Sequence, residues 1–417
     1  MYDKSLLFTP EGVRDIYGED CEVRDAIQHK IQETMKLYGF KNIQTPTFEF
    51  FDIFKQERGT VSSADMYKFF DQYNNTLVLR PDITPSIARC VAKYYEKEEL
   101  QIRLCYTGST FIRLSGYQGK LSEVTQIGAE LMNDASSDAD GEMIAMTIES
   151  LQKAGLKEFK VDIGHANLLR GLLEEADLSE EECETLKEYL RNKNIFAVED
   201  MLENKNIPAD CKELLIRMPD LFGDVQTITF AKERTKNPCV LEALDRLEKL
   251  YQILQSIGLE DHITFDLGML SHYEYYTGVI FKAYTYGTGD AIVTGGRYDN
   301  LIEQFGKKTP AIGLAFVLDQ LMEALHSQEA ETPAVESDYL ILYRSANREK
   351  ALSLAGELRS QNRSTRLMRK DADTSLQVYK EYGRRNEVHT IFYIDDTGET
   401  TEIDLTADGM TENGGTE

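Results

Sequence analysis

The chain has 417 residues, enough for two or three domains with sizeable cores. Its hydrophobic content of 41% is ordinary for a folded protein, and it contains no apolar run long enough to span a bilayer. The net charge of −26 disfavours a polyanionic partner such as nucleic acid, because proteins that hold a phosphate backbone usually carry a basic stripe.

The six cysteines are scattered, and no Cys-x-x-Cys pair occurs among them. This pattern is typical of reduced thiols in the cytoplasm, where we expect the protein to reside. The N-terminal residues lack the apolar segment of a signal peptide. The six histidines show no metal-ligand spacing. We therefore predict no metal site and no cofactor.

The first predicted element is an amphipathic helix over 21–38. Val23, Ile27, Ile31 and Met35 recur at four-residue steps, and Gly39 follows as a candidate for the helix end. Residues 40–50 are predicted to form a strand that includes Pro46. Residues 75–89 predict a strand, a turn at Pro81 and a helix capped by Thr84.

The middle of the chain predicts a hairpin followed by a helical insertion. Strands at 102–109 and 124–132 should pair antiparallel around a loop at 116–119, followed by a helix at 140–154 and a strand at 159–164. The period and charge of residues 167–257 indicate an all-helical insertion. Further strands are predicted at 263–267, 278–284 and 291–293, and a strand running into a helix at 311–325.

The last part of the chain predicts a separate small domain. Residues 326–337 are polar and contain a proline, as linkers do. Residues 338–408 alternate as βαβαβ with a final strand, which indicates a three-layer α/β domain. Residues 409–417 predict a disordered tail.

Residues 106–130, YTGSTFIRLSGYQGKLSEVTQIGAE, resemble the ATP-binding motif of the histidyl-tRNA synthetases, which are class II aminoacyl-tRNA synthetases. Phe111, Gln126 and Glu130 match, but Ile112 stands where the motif has arginine, and a one-residue shift that uses Arg113 remains an alternative. Arginine offers a planar, permanently charged fork of donors to a reacting phosphate, and isoleucine offers none.

Three further stretches extend the resemblance. LRPDITPSIAR is similar to a synthetase segment whose acid binds the α-amino group of histidine, here Asp82, although a carboxylate answering a helix dipole is the alternative. FDLGMLSHYEYYTGVIF resembles the histidine-specific stretch in Tyr275 and Tyr276, with Ser271 in the place of the catalytic arginine; a tyrosine-rich core strand is the alternative. TGGRYDNLI and TPAIGLAFVLDQLM resemble the closing motif, with Gln320 in the place of its arginine.

The losses and matches fall into two groups. The three arginine positions of the synthetase chemistry are lost, at Ile112, Ser271 and Gln320. The positions that match the histidine pocket are mostly kept, and they predict a ligand site at Asp82, Thr84, Gln126, Glu130, Tyr275 and Tyr276. This distribution is similar to that of the regulatory subunits of short-form ATP phosphoribosyltransferase, a family of synthetase paralogues.

The resemblance covers about residues 8–325 and implies an α+β fold: an antiparallel, class II synthetase-like sheet flanked by helices, in a core over 1–325. The small C-terminal domain resembles a reduced anticodon-binding domain only loosely. The implied protein has no catalytic residues. It homodimerises within a hetero-octamer, activates the catalytic subunit of ATP phosphoribosyltransferase and transmits feedback from histidine, a possible ligand. The alternatives are an active histidyl-tRNA synthetase and a free-standing amino-acid-binding protein.

Overall fold

The computed structural model describes residues 7–54, 61–113, 120–270, 275–330 and 338–405. The chain separates into two compact units, Met1–Pro333 and Ala334–Glu417. The boundary lies inside the segment 326–337 that the sequence predicts to be a linker. The predicted loop at 116–119, Ser271 and the predicted tail at 409–417 lie outside the described residues.

The first unit is built on strands of two sheets, which are, in chain order, β1 (Lys41–Asn42), β2 (Phe48–Phe50), β3 (Lys68–Phe70), β4 (Thr76–Leu79), β5 (Ile102–Phe111), β6 (Glu123–Met132), β7 (Lys160–His165), β8 (Phe222–Gly223), β9 (Ile263–Asp266), β10 (Val279–Tyr284), β11 (Val293–Arg297) and β12 (Ala311–Val317). The main sheet has nine strands in the order β1-β5-β6-β12-β11-β10-β7-β9-β8, and a small sheet has the order β2-β4-β3. Neighbours in the main sheet are antiparallel, except for the parallel pairs β1–β5 and β7–β9.

Helices surround this sheet. They are α1 (Glu19–Leu37), α2 (Thr84–Tyr94), α3 (Ser137–Ala154), α4 (Ala166–Ala176), α5 (Glu180–Arg191), α6 (Ile195–Glu203), α7 (Ala209–Arg217), α8 (Val225–Lys232), α9 (Pro238–Ser256) and α10 (Leu318–Ser327). Helix α3 packs against α1, α9 and strand β12, and most of its side chains are buried. Helix α2 packs Ile87 and Val91 against β5 on the sheet face that carries the site described below, and Ile83 just before the helix joins them.

Helix α1 confirms the prediction from the amphipathic pattern. Its four periodic apolar residues are buried, with Ile27, Ile31 and Met35 fully so. Gly39 has φ of 82°, the left-handed conformation that favours glycine just past a helix end. The N–H of Phe40 reaches back to the carbonyl of Met35, which completes the end of the helix.

Several predicted elements need correction. The single strand expected at 40–50 is two short strands in different sheets, separated by a stretch that contains Pro46, whose nitrogen has no hydrogen to donate. The insertion is not wholly helical, because Phe222–Gly223 pairs with β9 and extends the main sheet. The strand expected at 291–293 is Val293–Arg297, and α10 runs to Ser327, into the start of the predicted linker. The predicted hairpin of β5 and β6 is confirmed.

The second unit has the predicted βαβαβ order with a final strand. Its elements are β13 (Asp338–Tyr343), α11 (Arg348–Ser360), β14 (Thr365–Arg369), α12 (Leu376–Arg385), β15 (Val388–Ile394) and β16 (Thr400–Asp404). The strand order is β14-β13-β15-β16, with only β16 antiparallel. Leu340 and Leu342 pack on the side of Tyr379 in α12, whereas Ile341 and Tyr343 pack on the side of α11. This alternation makes three layers.

Candidate functional site

The site lies on one face of the main sheet, where small residues leave room above the strands. Gly313 on β12 pairs with Glu130 on β6, and a Cβ atom at Gly313 would collide with the Glu130 carboxylate. Gly128 leaves the same kind of space for the hydroxyl of Tyr106, and Gly296 for the ring of Tyr276. The absence of side chains at these glycines therefore lets an acid and two tyrosines lie close to the sheet.

A small cavity, partly open to solvent, lies over this surface. The residues that line it come from β6, β11, β12, the start of α2 and the segment before β10. All six residues predicted from the sequence line it, and the complete described lining is Asp82, Thr84, Gln126, Glu130, Tyr275, Tyr276, Thr294, Tyr298, Gly313, Leu314 and Ala315. Residues that are far apart in the chain therefore form one small concave site of the kind that binds small molecules.

Glu130 is a buried acid of the cavity, and its side chain is held by two hydroxyl groups. Thr84 Oγ1 donates to Oε1 at 2.8 Å, and the Tyr298 hydroxyl donates to Oε2 at 2.5 Å. Burial raises the pKa of Glu130 to about 8, and these two hydrogen bonds only partly oppose the rise. The raised pKa therefore favours a protonated Glu130 at neutral pH.

Asp82 is the second buried acid of the cavity. Its Oδ1 accepts the backbone N–H groups of Ile83 at 2.7 Å and Thr84 at 3.3 Å, and its Oδ2 accepts the Tyr275 hydroxyl at 3.4 Å. Burial raises its pKa to about 6, against the effect of these donors. Asp82 therefore accepts backbone donors at the start of α2 and also faces the cavity, and its binding of an amino group stays a prediction.

The prediction that Thr84 caps α2 is wrong. The helix begins at Thr84 itself, after Ile83, and no side-chain hydrogen bond caps it from the capping position. Asp82 instead accepts the N–H of Thr84, which frees the threonine hydroxyl to bind Glu130. Thr84 therefore lines the cavity and holds the carboxyl group of Glu130 in place.

Three tyrosines form one wall of the cavity. The rings of Tyr275 and Tyr276 meet edge to face with centroids 5.0 Å apart, and Tyr275 meets Tyr298 in the same way at 5.8 Å. Edge-to-face packing is a favourable aromatic geometry, and it holds the rings in fixed positions. Such a wall suits a flat, partly polar group such as an imidazole ring.

Gln126 presents an unsatisfied acceptor to the site. Its Oε1 is buried and has no hydrogen-bond partner among the described residues. A buried amide oxygen without a partner is uncommon in a folded protein, and its position on the cavity lining offers it to a ligand donor.

Five lining residues were not predicted, namely Thr294, Tyr298, Gly313, Leu314 and Ala315. All of them belong to the two stretches of the closing motif, so the signal was present in the chain. Tyr298 follows the Gly-Gly-Arg triplet, and Gly313 ends Pro-Ala-Ile-Gly. The pairing of β11 with β12 and of β12 with β6 carries these residues to Glu130.

Ile112 and Gln320 do not line the cavity. The N–H of Ile112 bonds to the carbonyl of Ser122 just beyond β5, and the neighbouring Arg113 is exposed. Gln320 lies in the first turn of α10, and its buried Oε1 has no hydrogen-bond partner among the described residues. The side chains at these two positions carry no positive charge.

No cluster of three or more potential metal ligands occurs among the described residues. In that same part of the chain, no helix is both long and apolar enough to cross a membrane.

A mainly antiparallel sheet flanked by helices, with a site over the strands of a long hairpin, is the architecture of the class II aminoacyl-tRNA synthetases. A family model described as histidyl-tRNA synthetase matches residues 12–321. A protein of Ruminiclostridium cellulolyticum named ATP phosphoribosyltransferase regulatory subunit is 36% identical over 96% of this chain and 95% of its own length.

Two solved structures share the fold. One, named ATP phosphoribosyltransferase regulatory subunit/histidyl-tRNA synthetase, from Bacillus halodurans, has a TM-score of 0.83 and 30% identity, covering 94% of this chain and 98% of its own. Histidyl-tRNA synthetase from Nostoc has a TM-score of 0.77 and 16% identity, covering 96% and 97%. The chain therefore belongs to the family of ATP phosphoribosyltransferase regulatory subunits, which has the fold of the histidyl-tRNA synthetases. The fold class predicted from the sequence is confirmed.

Proposed function

We propose that this chain is a non-catalytic cytoplasmic protein that binds and activates a short catalytic ATP phosphoribosyltransferase, the enzyme of the first step of histidine biosynthesis. We further propose that histidine binds in the cavity and helps to mediate feedback inhibition. Family membership supports the first part. The observation that carries the second part is the convergence of two buried acids and three tyrosines on one small cavity.

The chemistry of the cavity matches an amino acid with an imidazole side chain. The acids Asp82 and Glu130 can accept hydrogen bonds from an ammonium group and a ring N–H, and the edge-to-face tyrosines provide a wall for the ring.

The proposed assembly is a homodimer within a hetero-octamer with the catalytic subunit. The long α1 followed by β1 resembles the dimer-forming element of class II synthetases, and most soluble oligomers close with twofold symmetry. Histidyl-tRNA synthetase activity is the alternative. It would need charge for phosphate at the positions of Ile112 and Gln320, where the chain has none.

The function is tested by adding the purified chain to a short catalytic ATP phosphoribosyltransferase. We expect the rate to rise on addition, L-histidine to inhibit the mixture, and light scattering to report a dimer alone and a larger complex together. An unchanged rate with no complex would contradict the proposed role. Histidine-dependent exchange of pyrophosphate into ATP at a rate ordinary for a synthetase would support the alternative.

Removing the Asp82 carboxylate should weaken histidine binding. For Asp82→Ala we expect a loss of roughly 1.5–3 kcal/mol, the range for a hydrogen bond to a charged group. Asp82→Asn retains an acceptor for the N–H groups of Ile83 and Thr84 but lacks the charge, so it separates ligand binding from support of α2.

Calorimetric titration of L-histidine into the three proteins measures the effect, with Asp290→Ala at an exposed ion pair as the control. If both Asp82 variants bind histidine like wild type, the ligand does not use this acid. Because coupling between sites is reciprocal, the catalytic subunit should change histidine affinity by the same factor as histidine changes affinity for the subunit.

A further inference from the structure

The cavity is rich in acidic groups and lacks a cation. Asp82 and Glu130 are both buried in it, and no lysine or arginine occurs among its described lining residues. A bound amino acid would bring its own carboxylate into this space. Burying a carboxylate without a counter-charge is costly, and two nearby acids add repulsion whenever they are ionised. The site therefore needs a cation within reach of the ligand.

Lys282 is placed to supply that cation. It lies on β10 directly opposite Thr294 of β11, and Thr294 lines the cavity. Residues directly opposite in an antiparallel pair point to the same face of the sheet, and neighbouring strands are only about 4.7–4.9 Å apart. The lysine side chain has a flexible four-carbon stem, long enough to span one strand.

Lys282 has two acids in its surroundings but forms no tight ion pair with either of them. It is half-buried, and burial lowers its pKa although Asp266 and Asp162 attract the charge from a distance. The Asp162 carboxylate accepts the hydroxyl of Thr264, and Asp266 accepts the N–H of Gly268. Burial raises the pKa of both acids, whereas a tight ion pair would lower the pKa of the acid and raise that of the lysine.

Arg80 is another cation near this face, but its Nε and Nη1 already donate to backbone carbonyls. Its Nε donates to the carbonyl of Ser109 at 2.8 Å, and its Nη1 donates to the carbonyl of Thr45 at 3.0 Å. The guanidinium lies against Gly108, so it holds backbone segments together. Within the described residues, the Lys282 side chain forms no hydrogen bond with a backbone group and no ion pair with a carboxylate.

We propose that Lys282 binds the carboxylate of the amino acid in the cavity, while the acids at the other end take its cationic groups. The site then selects a zwitterion over amines of the same shape. This inference rests on the proposed function, because it assigns one end of the proposed histidine pocket.

The test compares L-histidine with L-histidinol, which carries a hydroxymethyl group in place of the carboxylate. Both are titrated calorimetrically into the full-length wild type, Lys282→Met and Lys282→Arg. We expect wild type to prefer L-histidine, and Lys282→Met to bind it roughly 10- to 100-fold more weakly, the range for losing a charge-assisted hydrogen bond. L-Histidinol binding should change by less than about twofold, and Lys282→Arg should keep the preference.

Each other outcome has a separate meaning. An equal loss for both ligands in Lys282→Met would assign the lysine to structure alone, and no loss for either would also overturn the proposal. A wild type that binds neither ligand would instead contradict histidine binding in the cavity. Lys120→Met is the matched control, because Lys120 forms an exposed ion pair with Asp290 and should leave both affinities unchanged.

Discussion

Replacing Asp140 by alanine should lower the free energy of unfolding of the first unit by about 3–5 kcal/mol, the cost of breaking a buried ion pair from one side. Asp140 lies in α3 with no exposed surface, and it accepts Arg297 at 2.5 Å and Arg246 at 2.6 Å. Arg297, the arginine of the Gly-Gly-Arg triplet, is only 3% exposed, so it would retain a buried charge without its main partner.

Urea unfolding followed by circular dichroism measures this effect. Asp290→Ala is the matched control, because it removes an acid from the exposed pair with Lys120 and should change stability by no more than about 1 kcal/mol. If Asp140→Ala and Asp290→Ala lose similar stability, the buried pair does not hold α3 to β11.

Glu130→Gln should flatten the dependence of stability on pH. The folded protein raises the pKa of Glu130 from its ordinary value of 4.5 to about 8, so the folded state binds this proton more tightly than the unfolded state. The resulting stabilisation is complete below about pH 4.5 and is lost as the pH rises through 8. Between pH 5.5 and 8.5 the wild type should therefore lose roughly 3 kcal/mol from this group.

The amide introduced by Glu130→Gln would resemble the protonated carboxyl group and cannot ionise, so this part of the loss should disappear in the variant. Asp82 has a pKa of about 6 and contributes in the same direction in both proteins, so some dependence on pH remains. The measurement is urea unfolding without ligand at several pH values. Parallel curves for the two proteins would contradict a raised pKa at Glu130.

The sequence by itself determined the elements whose stability is local. The four-residue spacing of Val23, Ile27, Ile31 and Met35 predicted both helix α1 and its buried side. The alternating apolar strands and amphipathic helices after residue 338 predicted the order and layers of the second unit. In these segments the hydrophobic period and the end of the element are encoded within a few residues.

The six site residues were found through motifs rather than periodicity. Their convergence on one cavity depended on the pairing of β6 with β12 and of β12 with β11. Tyr298 was missed because an isolated Gly-Gly-Arg-Tyr run does not show that its tyrosine reaches an acid 168 positions away. Such contacts depend on the register in which the strands pair.

Only the tertiary structure decided what Thr84 and the glycines do. Threonine commonly caps helices, yet the Thr84 hydroxyl binds Glu130, because Asp82 already accepts the backbone N–H of Thr84. Gly313 is needed because the Glu130 side chain occupies the space of its Cβ atom. Local propensity depends on neighbours in sequence, whereas desolvation and close packing depend on neighbours in space, and these are fixed only when the sheet assembles.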